Sequence, residues 1–381
     1  MLAGCSLLLL TDAALAAPQL LTPPAVAAPS TSTKIEHDPS SPFSLEEMRA
    51  FVAAVAKADK TKDPLQRCLH FPDPPGSHWS REGVVAYCHY MFQPMLDFTE
   101  FKRLVTSGQA KEVDARLSTF IADPATHPEA FWHFLMENFN EADPETLALV
   151  ESWKQQSPSS AFAHTAAGLQ YVLAGWEIRG KKFASVTPDE KMNAMKTQID
   201  RALGDLERAN RLDPKMSATY AVMVEAGSLS GAPDYAAEAA KRGLSVAPGA
   251  FPVLSAMVMF VSDRWYGNEV LQTWLMGQVT QAATTQPLAL TIESRVLSER
   301  ARIDYQPPEE PLTWSVYRKA FDDVSNFSTL KRAADTALSN GQYDVAYVYL
   351  SEASRYDNTD AAVSSGRSQA LFVIGPGIET H

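Results

Sequence analysis

Two thiol–imidazole groupings stand out, Cys68-x-His70 and Cys88-His89. Thiolates and imidazoles are zinc ligands, but neighbours such as Cys88 and His89 rarely both reach one ion, and zinc-binding pairs are spaced differently. In an oxidising compartment an even pair of thiols points instead to a Cys68–Cys88 disulfide, with free buried thiols as the alternative. His127, His133 and Glu137 lie on neighbouring helical turns, and His133 with Glu137 is an i, i+4 pair that could form half a metal site. The simpler reading is a solvated helix face, with Trp132, Phe134 and Phe139 packed elsewhere. Aromatic residues in loops, Trp79 and the pair Trp265-Tyr266, have the chemistry of partner anchors. Trp132, Trp153, Trp176 and Trp274 fall at helical positions among apolar neighbours and read as core.

No nucleophile elbow, zinc-protease helix, phosphate-binding loop or dinucleotide fingerprint is present in the sequence. Glu151-Ser152 and Glu293-Ser294 are similar to a dipeptide of lytic transglycosylases, but two residues match by chance and both sit in amphipathic helices. The expectation is a protein that is not an enzyme and needs no cofactor or metal.

These residues belong to a chain of 381 residues with 45% hydrophobic content and a formal charge of −12. The hydrophobic content is enough for a packed core. The charge disfavours nucleic acid and docking of a polybasic patch on anionic lipid. The N-terminus reads as an export signal over residues 1–16: an apolar run from Leu2 to Leu10, then Ala14-Leu15-Ala16, without a basic start. A second reading takes Leu2-Ala3-Gly4-Cys5 as a lipobox with Cys5 acylated. Both place the protein outside the cytoplasm, in the periplasm, with a lipid anchor to the outer membrane in the second case. No other apolar run is long enough to span a bilayer. Residues 17–43, rich in Pro, Ala, Ser and Thr, read as a disordered linker.

From Ser44 the sequence punctuates helices. Ser44 and Glu47 form a capping box, and Asp143-Pro144, Thr187-Pro188 and Ala232-Pro233 place proline in a first turn. Gly108, Gly231 and Gly341 fall where a tight turn needs positive φ. Around Pro72 to Pro75 the prolines exclude regular structure. No segment alternates with period two, so the fold class is all-α. Pro214 and Pro248 close two similar segments 34 residues apart, and a third runs from Leu330 through Gly341 and Ala346 to Ala353. The period and the small residues Ala236 and Gly243, facing the large Tyr220, describe an α-solenoid of tetratricopeptide-like hairpins. The helical-repeat domain is expected over residues 44–305, a rigid proline linker over 306–312, and a C-terminal hairpin with a capping helix over 313–381.

The chain also resembles a bacterial family, the domain of unknown function 4034. The resemblance rests on Asp63-Pro64-Leu65-Gln66-Arg67-Cys68, Pro74-Pro75-Gly76, Ala86-Tyr87-Cys88, Ser157 to Ala163, Arg179-Gly180, Asp213-Pro214 and Arg264-Trp265-Tyr266-Gly267, roughly residues 60 to 290. It implies an exported helical-repeat protein with no assigned activity and supplies no catalytic residues.

Helical-repeat arrays bind macromolecules along a groove. The functional expectation is therefore a protein-interaction or assembly module of the cell envelope, with a protein or peptide partner. The alternatives are an envelope enzyme acting on peptidoglycan and a neutraliser of a secreted toxin. By the repeat register the groove should be lined by Ala218, Ala221, Glu225 and Ser228 in one copy, and by Ser328, Lys331, Asp335 and Leu338 in another.

Overall fold

The computed structural model describes residues 41–180, 183–303 and 313–379. The signal region, the lipidation candidate Cys5, most of the 17–43 segment and the 306–312 linker lie outside the described residues. The described residues are all-helical, without strands.

The first helices are α1 (Leu45–Ala58), α2 (Pro64–His70), α3 (Arg81–Met91), α4 (Phe98–Thr106), α5 (Ala110–Ile121), α6 (Ala130–Asn138) and α7 (Pro144–Gln156). The middle of the chain forms α8 (Ala161–Arg179), α9 (Asp189–Leu212), α10 (Ser217–Ser230), α11 (Pro233–Val246), α12 (Phe251–Phe260), α13 (Glu269–Ala283) and α14 (Thr291–Ala301). The last part holds α15 (Trp314–Ala320), α16 (Phe327–Ser339), α17 (Tyr343–Tyr356) and α18 (Ala361–Glu379).

Local chemistry sets most boundaries. Ser44 Oγ accepts from the Glu47 amide at 3.2 Å while Glu47 returns a carboxylate to the Ser44 amide at 2.7 Å, so the expected capping box forms. Asp143 caps α7 by accepting from the Thr146 amide at 2.7 Å, ahead of Pro144 in the first turn. Gly108, Gly231 and Gly341 take φ of +77°, +79° and +73°, the left-handed turn that lets each helix reverse. The stretch around Pro72 to Pro75 is without helix, as expected, and a short helix that the sequence reading did not include, α2, forms ahead of it, because Pro64 occupies a first turn and Asp63 caps the Gln66 amide. One boundary differs from expectation. Phe43, assigned to the linker, is 2% exposed, so the packed chain begins before Ser44.

In the middle of the chain α8 packs on α9, α10 on α11, and α8, α10 and α12 lie side by side. The small residues make these contacts possible. A side-chain carbon at Gly243 would stand 2.8 Å from both Tyr220 Cβ and Val253 Cγ2, and one at Gly227 would stand 3.0 Å from Ala236 Cβ. Tyr220 opposite Gly243 is the pairing the repeat register predicts.

The two ends of the chain meet. α1 packs on α18 and α2 on α17. The C-terminal hairpin is therefore part of the same packed body rather than a module apart. The α3 helix reaches further in. Tyr90 packs against His133 of α6 at 4.5 Å and Phe251 of α12 at 5.7 Å; Tyr87 packs against Tyr356 of α17 at 4.5 Å and accepts a hydrogen bond from the Phe327 amide at the start of α16. Cys88 of α3 is bonded to Cys68 of α2, with S–S 2.06 Å and Cα–Cα 5.8 Å. The disulfide so ties an inserted helix to the helix that grips α17.

Candidate partner-binding concavity

One concavity of about 940 Å³ opens where several helices end. Trp176 and Arg179 come from the last turn of α8, Leu229 to Gly231 from the end of α10, and Val258 and Met259 from α12. Arg264, Trp265 and Tyr266 come from the following loop, Arg295 and Glu299 from α14, and Arg332 from α16. The loop is held by its own backbone. The Gly267 amide donates to Ser262 O at 3.1 Å, and a Cβ at Gly267 would lie 1.7 Å from Val261 O, so no larger residue fits there. Tyr266 OH donates to Ser228 O at 2.9 Å, which fastens the loop to α10.

The aromatic rings and the guanidinium groups are interleaved. The Trp176 and Trp265 rings meet edge to face at 5.2 Å, and the Arg179 guanidinium lies 5.7 Å from the first and 5.3 Å from the second. Arg264 lies 5.6 Å from the ring of Phe183, which is 63% exposed at the rim. Arg295 donates to Ser255 Oγ, and Glu299 accepts from Ser262 Oγ at 3.3 Å.

Expected site residues divide sharply. Trp265 and Tyr266 line this concavity. Trp79, expected as an exposed anchor, is 7% exposed: its indole N–H donates to Phe321 O at 3.0 Å and its ring lies under Arg355. The groove row of α10 is not open. Ala218, Ala221 and Ser228 are buried because α8, α9, α11 and α12 surround the helix. Ser228 Oγ turns back to Val224 O at 2.8 Å, as a buried helical serine does. Glu225 of the same row is mostly buried, and burial raises its carboxyl to about 7 while Arg295 pulls it down. Lys331 and Asp335 do lie at the surface, 3.9 Å apart on α16, with Ser328 exposed and Leu338 partly buried on that face. They do not line the concavity; Arg332 beside them does.

Three residues changed role. His133, read as part of a solvated face, is 1% exposed, and burial lowers its pKa to about 4, which keeps the imidazole neutral against Tyr90. Trp176, read as core, lines the concavity, and Trp274, read the same way, is 42% exposed. Trp176, Arg179, Phe183, Arg295 and Arg332 were missed as site residues. Trp176 and Arg179 do carry a local signal, an aromatic and a cation three residues apart at a helix end, but the others are brought in by packing.

A second concavity of about 750 Å³ is lined by His89, His127, Glu129, Trp132, Lys215 and Ala218, among others. Glu129 there has φ of +51°, a strained conformation for a residue with a side chain, and accepts from Gln286 Nε2 at 2.6 Å. That bond knits α6 to the turn before α14. Among the described residues no helix is long and apolar enough to cross a membrane.

No curated protein matches the sequence. The family match is narrower than the residue motifs implied, running from the cap of α4 to α11 and leaving out α2, α3 and the Trp265 loop. Residues 97–241 match the domain of unknown function DUF4034.

Proposed function

We propose that the protein is an interaction or assembly module of the cell envelope that binds a protein partner at the concavity between α8, α10, α14 and α16. The observation that carries this reading is the gathering of Trp176, Trp265 and Tyr266 with arginines from four separate elements. Aromatic and arginine side chains dominate binding energy at protein interfaces. In this reading the hairpins are tetratricopeptide-like units, and α3, rather than a partner, fills much of the space such an array encloses. Export to the periplasm, with or without a lipid on Cys5, belongs to the same proposal. The Cys68–Cys88 bond supports it, since disulfides persist in oxidising compartments.

The peptidoglycan-enzyme reading finds one supporting feature: Glu293, whose carboxyl is raised by burial and by Asp323 and Asp322. Yet Asp323 is engaged by the Ser80 and Val324 amides, and Ser294 by Ser325. Their chemistry is that of a junction between α3, α14 and the start of α16. The neutraliser reading has no observation of its own.

The test is capture from envelope extract on immobilised full-length protein. A partner held by the wild type should be lost with Trp265→Ala and kept with Lys331→Ala, at unchanged thermal melting. A partner retained in full by Trp265→Ala would remove the concavity from the account.

A further inference from the structure

We infer that the second concavity, at the opposite end of α10 from the first, is a binding site for a small organic carboxylate with an apolar body. It is a separate site from the one proposed for the protein partner. Three connections converge on it. The end of α5 and the start of α6 give Ile121 and Phe131, the α9–α10 turn gives Lys215 to Ala218, and the turn before α14 gives Gln286 and Leu288. Its volume of about 750 Å³ falls within the range of about 300–1,000 Å³ usual for small-molecule sites.

The polar groups left without partners in this lining are donors. No side chain caps α10, and the Ser217 and Ala218 amides at its start have no hydrogen-bond partner among the described residues. Amides at the positive end of a helix dipole favour a carboxylate. Lys215, exposed just ahead of them, makes no ion pair among the described residues. A helix start alone would be satisfied by water. Trp132 is the independent observation: it is 5% exposed and lines the concavity, yet its indole N–H bonds to nothing among the described residues. A largely buried donor left open costs free energy until an acceptor meets it.

The two carboxylates of the lining are turned to the wall itself. Asp213 accepts from the Lys215 amide at 3.0 Å, and Glu129 accepts from Gln286 Nε2 at 2.6 Å. Burial also raises the Glu129 carboxyl, which favours its uncharged form.

The apolar part of the lining calls for more than a simple anion. Ile121 is 43% exposed although it is a large aliphatic side chain, and it lines the concavity with Phe131, Met216 and Leu288. An inorganic ion would leave that surface in water, whereas an apolar body covers it. Pro124, Pro128 and Pro287 stiffen the surrounding connections, so the site is largely formed before a ligand arrives.

The probe is 4-phenylbutyrate, titrated calorimetrically into the full chain beside 4-phenylbutanol and 4-phenylbutylamine, which share its apolar body. The acid should bind at least about tenfold more tightly than either. Lys215→Gln should weaken it by about tenfold at unchanged thermal melting. Ile121→Asp, a second surface change, should also weaken it, while Trp265→Ala should leave it unaltered. Equal affinity for the acid and the alcohol overturns the inference, and so does a Lys215→Gln variant that binds as the wild type does. Loss of binding in Trp265→Ala would place the ligand in the other concavity and overturn it as well. Acetyl-Gly-Gly-Leu presents the same carboxylate as a polypeptide end and should bind no better than 4-phenylbutyrate. Tighter binding of that peptide would assign the site to a protein C-terminus and sink the small-molecule reading. None of these outcomes bears on capture of the envelope partner, which depends on Trp265.

Discussion

The α10–α11 hairpin and the seam where α2 and α3 meet α17 are held together by opposite means. In the hairpin, Gly227 faces Ala236 and Gly243 faces Tyr220, and among its residues no buried side-chain polar atom lacks a hydrogen bond. The seam is polar and cross-linked. Arg67, 4% exposed, donates to Ser354 O at 2.5 Å and Asp59 at 2.6 Å. Arg355, 1% exposed, donates to Cys68 O at 2.8 Å, Asp73 at 2.8 Å and Glu352 at 3.2 Å. Buried there too, Arg67 Nε, Glu352 Oε1 and Tyr356 OH have no hydrogen-bond partner. Close apolar packing loses stability in small local steps. A buried charged network loses it all at once when one member goes, because the remaining charge is stranded.

The sharpest break is Arg355→Met. Above about pH 8, where the Glu352 carboxyl is ionised, it strands that carboxylate and frees the Cys68 carbonyl, and should cost roughly 3–5 kcal/mol in denaturant unfolding. Adding Glu352→Gln to it should recover part of that loss, since the stranded carboxylate is gone. Strict additivity of the two changes would show that the seam does not act as a network.

Next comes the disulfide. Cys68→Ser should cost about 2–4 kcal/mol and make α3 the first segment to exchange its amides. Thiol labelling of the unfolded, unreduced wild type should find neither Cys68 nor Cys88; labelling of both removes the cross-link from the comparison. In the hairpin, Gly243→Val should cost about 1–3 kcal/mol, since its side chain would strike Tyr220 and Val253. A silent Gly243→Val would mean that the hairpin is looser than its contacts.

Both regions should respond to pH, the hairpin through Glu225, raised to about 7, and the seam through Glu352 over a higher range. Burial raises the Glu352 carboxyl to about 8, while Arg355 pulls against it. The folded state then holds a proton that the unfolded state has released above the ordinary carboxylate range. Stability therefore falls as pH rises from that range to about 8, by at most about 1.4 kcal/mol per pH unit. Glu352→Gln should flatten this slope, and an unchanged slope would assign it to another group. The smallest effect belongs to Lys331→Ala, a surface change on α16 expected within about 0.5 kcal/mol of wild type.

Legibility followed the range of the interaction. Helix ends could be read at Ser44, Asp143 and Gly231, because a cap or a left-handed turn is decided by a few adjacent atoms. The contact of Gly243 with Tyr220 could be read because the helical period puts each on the facing side of its own helix. The pairing of Cys68 with Cys88 followed from compartment chemistry.

Exposure was another matter. Trp79 and Trp265 are both loop tryptophans in the sequence, yet one ends beneath Arg355 and the other lines the concavity. Ala218, Ala221 and Ser228 carry the groove register but lie inside, since four helices surround α10. Arg179, Arg264, Arg295 and Arg332 come together from elements far apart in the chain. Sequence alone determined the all-α class, the helix boundaries and the cross-link, because capping, period and redox chemistry act through near neighbours. Tertiary structure alone decided which surfaces stay open and which charges meet, because burial depends on what the rest of the chain packs against each face.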